Sequence, residues 1–218
     1  MLDINDLNFR KLVEHGIPLE RLEARLRPRL RLKDRDEEIK AHDGFGNFSD
    51  DGFLGARENL LEVIHADWLV VEHFGTTHQK TAIALEKAIT KRKMPNPKYC
   101  IETVFCSCGV QGCPWYCTSK YEPASDVIFI YHQEIHKEDI RVMENLFFSE
   151  FASKEDPLIP YRIRKAHENR HFLRERFGVV TQMHPHLIGE HYFFEGLESP
   201  YRADPVVLIK ALGIEGQS

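Results

Sequence analysis

The sequence predicts an α+β fold: a small mixed or antiparallel sheet with helices packed on it, and a cysteine-rich loop between two of its strands. Three observations predict it. Stretches with apolar residues at helical spacing outnumber the short β-branched and aromatic runs that read as strands. The two clearest strands follow each other around a loop rather than a helix, so strands and helices do not alternate as in a parallel α/β sheet. The chain has 218 residues, 42% hydrophobic and 29% charged, with a net charge of −5. That suffices for a sizeable core and lies outside the low-hydrophobicity, high-charge regime of disordered chains. A single domain over residues 1–218 is expected, with residues 94–98 as the place where two lobes would part.

The first helix is expected over residues 5–15, with Leu7, Leu12 and Val13 on one side and Gly16 as its stop. A second helix over residues 19–26 begins at Pro18. From residue 25 the period becomes two: Arg25, Arg27, Arg29, Arg31, Lys33 and Arg35 alternate with Leu26, Pro28, Leu30 and Leu32. In a strand these cations would share one face, and Pro28 would confine the strand to a sheet edge. Asp36, Glu37 and Glu38 follow and offset the field. The stripe therefore reads as a solvated edge strand whose charges deter pairing, not as a polyanion site. Residues 41–52 form a Gly- and Asp-rich loop; Asp43, Asn47, Asp50 and Asp51 lack the spacing of an EF-hand calcium loop.

A helix over residues 57–65 follows, carried by Leu60, Leu61 and Ile64 and broken at Asp67. Trp68, Leu69, Val70 and Val71 then read as a buried strand. A helix over residues 77–91 has Thr76 or Thr77 as its N-cap and Ile83, Ala84, Leu85 and Ala88 as its core face. A strand, Gly75, two threonines and a helix are the order in which an anion can sit at a helix N-terminus. The glycine pattern and lysine of a P-loop are missing, so an ordinary capped helix is expected. Met94-Pro95-Asn96-Pro97 ends it. Strands are expected at residues 99–105 and 126–131, and helices at 136–151 and 161–177, the latter stopped by Gly178. A short strand at 179–182 and a helix at 186–194 come next. The last helix opens with Asp204 as N-cap and Pro205 at its first position, and ends at Gly213.

Four of the five cysteines, Cys106, Cys108, Cys113 and Cys117, lie in a C-x-C-x4-C-x3-C pattern. Thiolates are good zinc ligands, and four close a structural tetrahedral site. Gly109 and Gly112 let the backbone fold tightly between the pairs. Zinc on these four cysteines is the expectation; free buried thiols are the competing reading. Cys100 would be a spare buried thiol. A redox pair would need C-x-x-C at a helix start, and common ferredoxin spacings do not match. Trp115 and Tyr116 would pack over the site or form a contact patch for a protein partner.

Twelve histidines are many for this length. His167-Glu168-Asn169-Arg170-His171 resembles the zinc-metallopeptidase signature over those five residues. The resemblance implies a catalytic zinc on His167 and His171, with Glu168 polarising a water and a further ligand from Glu190, Glu195, His184, His186 or His191. The chain departs from the signature at its two central positions, Asn169 and Arg170, where such helices carry apolar residues. Arg162, Arg164, Lys165, Arg174 and Arg176 surround the motif with charge that is costly to bury. His167 and His171 are therefore expected on a surface or packing face. His184, His186, Glu190 and His191 form a second cluster that could supply imidazole ligands to a separate metal or acid–base site.

No apolar stretch approaches the ~20 residues that span a bilayer. The first residues lack a basic and apolar leader pattern, and the five cysteines are odd in number and confined to residues 100–117; both favour a reducing cytoplasm. The net charge of −5 argues against a protein that grips nucleic acid over its whole surface. The sequence thus points to a cytoplasmic, zinc-binding, non-enzymatic or accessory protein. A metal-dependent hydrolase built on His167, Glu168, His171 and the 184–195 cluster is the alternative.

Overall fold

A computed structural model describes residues 3–27, 52–106, 113–117, 126–137, 140–141, 176–199 and 201–216, with the backbone alone at 105 and 106. Among them run helices α1 (Leu7–Glu14), α2 (Leu19–Leu26), α3 (Leu60–His73) and α4 (His78–Lys91). Strands β1 (Tyr99–Cys106), β2 (Asp126–His132) and β3 (Phe177–Thr181) follow, then helices α5 (His184–His191) and α6 (Pro205–Leu212). The arrangement is α+β, and the sheet is antiparallel in the order β1-β2-β3. Residues 113–117 lie between β1 and β2, as expected. One extra residue in β1 between Thr103 and Phe105 makes a bulge opposite Ile128 and Val127.

β2 is buried on both faces, which is why its sequence is a continuous apolar run rather than an alternating one. Ile128 and Ile130, with Val180 of β3, pack against Val71 of α3, Leu85 and Ala88 of α4, Ile188 of α5, and Leu208 and Ile209 of α6. Val127 and Phe129, with Phe177 and Val179, face the other way onto Ile135 and Ile140. A separate cluster joins Phe9 and Val13 of α1, Leu22 and Leu26 of α2, and Leu60 and Ile64 of α3 to Leu187 and Phe193. Cys113 and Trp115 belong to this cluster.

Several elements differ from the sequence expectation. Residues 68–71 are not a strand but the second half of α3, which runs unbroken through Asp67. Asp67 is buried and paired with Arg202, whose Nη1 and Nη2 lie 3.1 and 2.5 Å from its two carboxylate oxygens. That partner lets a carboxylate sit on a helix's core face, where Leu60, Val63, Ile64, Asp67 and Val71 follow a helical period. With a helix before Gly75, there is no strand-to-helix anion turn. The Thr77 hydroxyl instead accepts from the Lys80 amide as an N-cap, the ordinary outcome.

The core face of α4 is also turned from the expected one. His78, Thr81, Ala82, Leu85 and Ala88 are buried, and Ile83 is exposed. In α1, Phe9 joins Val13 inside while Leu7 is exposed. Phe177 and Gly178 are not a helix end; they open β3, and Gly178 stands opposite Ile130, where α6 approaches closely through Val207. Arg25 lies within α2 and Arg27 caps it, so the alternating stripe does not begin as a strand; residues 28–35 lie outside the described residues. So do the expected 41–52 loop except residue 52, most of the expected helices at 136–151 and 161–177, and the His167–His171 motif.

Candidate metal centre

The loop at 113–117 is a tight turn. The Tyr116 amide donates to the Cys113 carbonyl at 2.9 Å, and Tyr116 takes a left-handed backbone. The turn brings Cys117 back beside Cys113 and aims the amides of Trp115 and Cys117 at the Cys113 sulfur. The partner element is α5, which begins three residues after β3. Its start is fixed by His184, whose Nδ1 accepts from the Thr181 amide at 2.9 Å. His184 is fully buried, and its Nε2 faces Glu195 Oε1 at 3.4 Å; Ser199 Oγ donates to the other oxygen of Glu195 at 2.5 Å. Gly189 seats α5 on α4: a Cβ there would stand 3.0 Å from that of Ala82.

From α5, His186 and His191 turn toward the cysteine loop. Ligand atoms of Cys113, Cys117, His186 and His191 lie within 4.8 Å of one another. The Nε2 of His191 is 3.3 Å from the Cys113 sulfur and 3.2 Å from the Cys117 sulfur. Two ligands at about 2.3 and 2.0–2.1 Å from one tetrahedral ion stand roughly 3.5 Å apart, so these separations need only a small expansion to admit one. The four side chains form a Cys2His2 group able to hold a metal ion.

The surroundings hold the group in place. The Trp115 indole stacks on His191, with centroids 4.3 Å apart and planes 8° from parallel, and donates to the Val13 carbonyl at 2.7 Å. His15, at the end of α1, meets His191 edge to face. Arg25 of α2 lies over the Tyr116 ring, its Cζ 3.1 Å from the centroid. Trp115 thus packs over the site, and Tyr116 is the more exposed of the two aromatics.

Without a cation the electrostatics favour neutral ligands. Burial pushes the Cys113 thiol up to about 12 and His191 down to about 3, where His186 and His15 add repulsion. A bound dication reverses the thiol preference, because it repays the desolvation of the thiolates directly. Cys113 and His191 are buried, whereas Cys117 and His186 are half-buried. His186 borders a cavity of about 440 Å³ shared with Glu86, Arg92, Asp126 and Gln182.

Of the four cysteines expected to bind metal, Cys113 and Cys117 are in the group. The Cys106 side chain and Cys108 lie outside the described residues. His186 and His191 come from the histidine cluster that the sequence suggested for a separate site. Glu195 pairs with His184 rather than with the group, and Glu190 is exposed. The signal that could have joined the two clusters is spacing: C-x3-C and H-x4-H both fall in the ranges usual for Cys2His2 zinc sites. In comparisons with protein families, curated proteins and solved structures, nothing matches this chain.

Proposed function

We propose that this is a zinc protein whose metal is structural, held by Cys113, Cys117, His186 and His191, and that it acts as a non-enzymatic or accessory protein. The observation that carries this reading is the convergence of the four ligand atoms within 4.8 Å. Two sulfurs and two imidazole nitrogens suit zinc and do not suit the oxygen-seeking magnesium or calcium ions. Four protein ligands complete a tetrahedron, whereas a catalytic zinc keeps one position for water. The ion would clamp two segments that lie about 70 residues apart in the chain, and closing so long a loop is where a cross-link gains most in theory. With metal at about a thousand times its Kd, linkage adds about 4 kcal/mol to stability.

Elemental analysis of the purified chain should give about one zinc. Cys113→Ser and His191→Ala should each lose it and unfold at lower temperature. A Cys106→Ser/Cys108→Ser variant should keep it. Zinc retained in Cys113→Ser/Cys117→Ser, or lost only from the Cys106/Cys108 variant, sinks the Cys2His2 assignment. The second outcome would restore a site built on Cys106 and Cys108. Cobalt substitution gives an independent check: a tetrahedral site with two sulfurs shows intense visible absorption.

A further inference from the structure

The face of α4 turned away from the metal centre has an unusual composition. Lys80, Lys87 and Lys91 rise from it about two and one turns apart, and Lys93 follows just past its end. All four are exposed, and none pairs with a carboxylate among the described residues. Between them lies an apolar floor: Ile83 and Ala84 of α4, with Leu212 and Ile214 from the far wall, around a groove of about 420 Å³. Ile83 is 43% exposed, a large apolar side chain left open to water in the middle of this cationic rim. Glu86 is on the other side of the helix, where it lines the cavity next to His186. The patch is therefore locally cationic on a chain whose net charge is −5.

We propose that this groove docks a segment of a partner protein in which one or two apolar anchors are flanked by aspartates or glutamates. The concave apolar floor takes a protruding side chain. A bilayer would instead require apolar groups projecting outward from the protein. A single-stranded nucleic acid would require aromatic platforms for its bases, and the lining has none. The apolar anchor supplies most of the affinity, while exposed lysine–carboxylate pairs contribute little each but select acidic partners and speed association. From Lys80 to Lys91 the rim runs roughly 16 Å, the length of about three helical turns of a docked peptide.

The test selects a phage-displayed library of random 16-residue peptides on the full, zinc-loaded chain. Enriched peptides are then measured by fluorescence anisotropy. The expected winners combine Leu, Ile or Phe with flanking Asp or Glu, and bind at least tenfold more weakly when salt rises from 50 to 300 mM. Lys87→Glu/Lys91→Glu and Ile83→Ser should each weaken binding at least tenfold. These side chains are exposed, so melting temperatures should stay at the wild-type value. Phosphatidylserine vesicles and a single-stranded 20-mer oligonucleotide serve as competing probes. The proposal is overturned if no peptide is enriched, if the enriched peptides are not acidic, or if the variants bind them unchanged. Preferential lysine-dependent capture of the vesicles or of the oligonucleotide overturns it too.

Discussion

His78 is a titratable side chain held where it cannot titrate near neutrality. Its ring sits among Trp68, Tyr192 and Phe194, with centroids at 4.7, 5.2 and 5.7 Å, and its Nε2 finds no hydrogen-bond partner among the described residues. Burial lowers its pKa to about 4. The folded value is below the unfolded one of about 6.5, so the stability that neutral His78 contributes is fully present above pH 6.5. It is lost as pH falls from 6.5 to about 4, by on the order of 3 kcal/mol. Replacing it with phenylalanine should remove that loss. Urea unfolding of wild type and His78→Phe at pH 7 and pH 4 should show the variant gaining on wild type at the lower pH; parallel pH profiles would refute this. Acid release of a metal from the proposed site would affect both proteins and cancel in the comparison. At this scale the sequence is only partly legible. The residue types at the metal centre were visible, but which cysteine meets which histidine depends on tertiary proximity. His78 itself gave no sequence signal, because its isolation is made by aromatic residues from α3 and from the segment after α5.

α1 and α2 show how an element can depend on a distant one. Each is eight residues long, too short to be stable alone, so both rely on packing. Part of that packing is the cysteine loop: Trp115 bonded to Val13 and Arg25 over Tyr116. Chelation should therefore speed amide exchange across α1 and α2 while β2, paired on both sides, stays protected. Hydrogen exchange with and without chelator measures this, and uniform protection in α1 and α2 after complete metal removal would contradict it. The elements whose signals are local were legible in the sequence. α2 is bounded as expected, α6 starts on Asp204 and Pro205 and ends at Gly213, and β1 and β2 differ from expectation by about a residue. The second half of α3 was not legible. Trp68 to Val71 is a short apolar run that fits a strand or a buried helix equally, and only Arg202, 135 positions away, explains why Asp67 does not end the helix.

Across the whole molecule, we propose that the described parts fold as one unit. The segment at 94–98, where two lobes would part, is tied to α6: the Asn96 amide donates to the Ala211 carbonyl, the Asn96 side chain donates to the Lys210 backbone carbonyl, and Met94 is buried in the cluster behind β2. Calorimetry of the purified chain should then show a single transition whose calorimetric and van't Hoff enthalpies agree; two resolved transitions would divide it. A metal held by the Cys2His2 group would also set a clock on biosynthesis. The group's cysteines leave the ribosome 74 and 78 residues before His191, a delay of several seconds at about 5–20 residues per second. For that interval the nascent chain offers a pair of thiols without the imidazoles that complete the coordination. Oxidants and competing metals would have their best access then, and the N-terminal helices, though made first, would wait for the centre that packs against them.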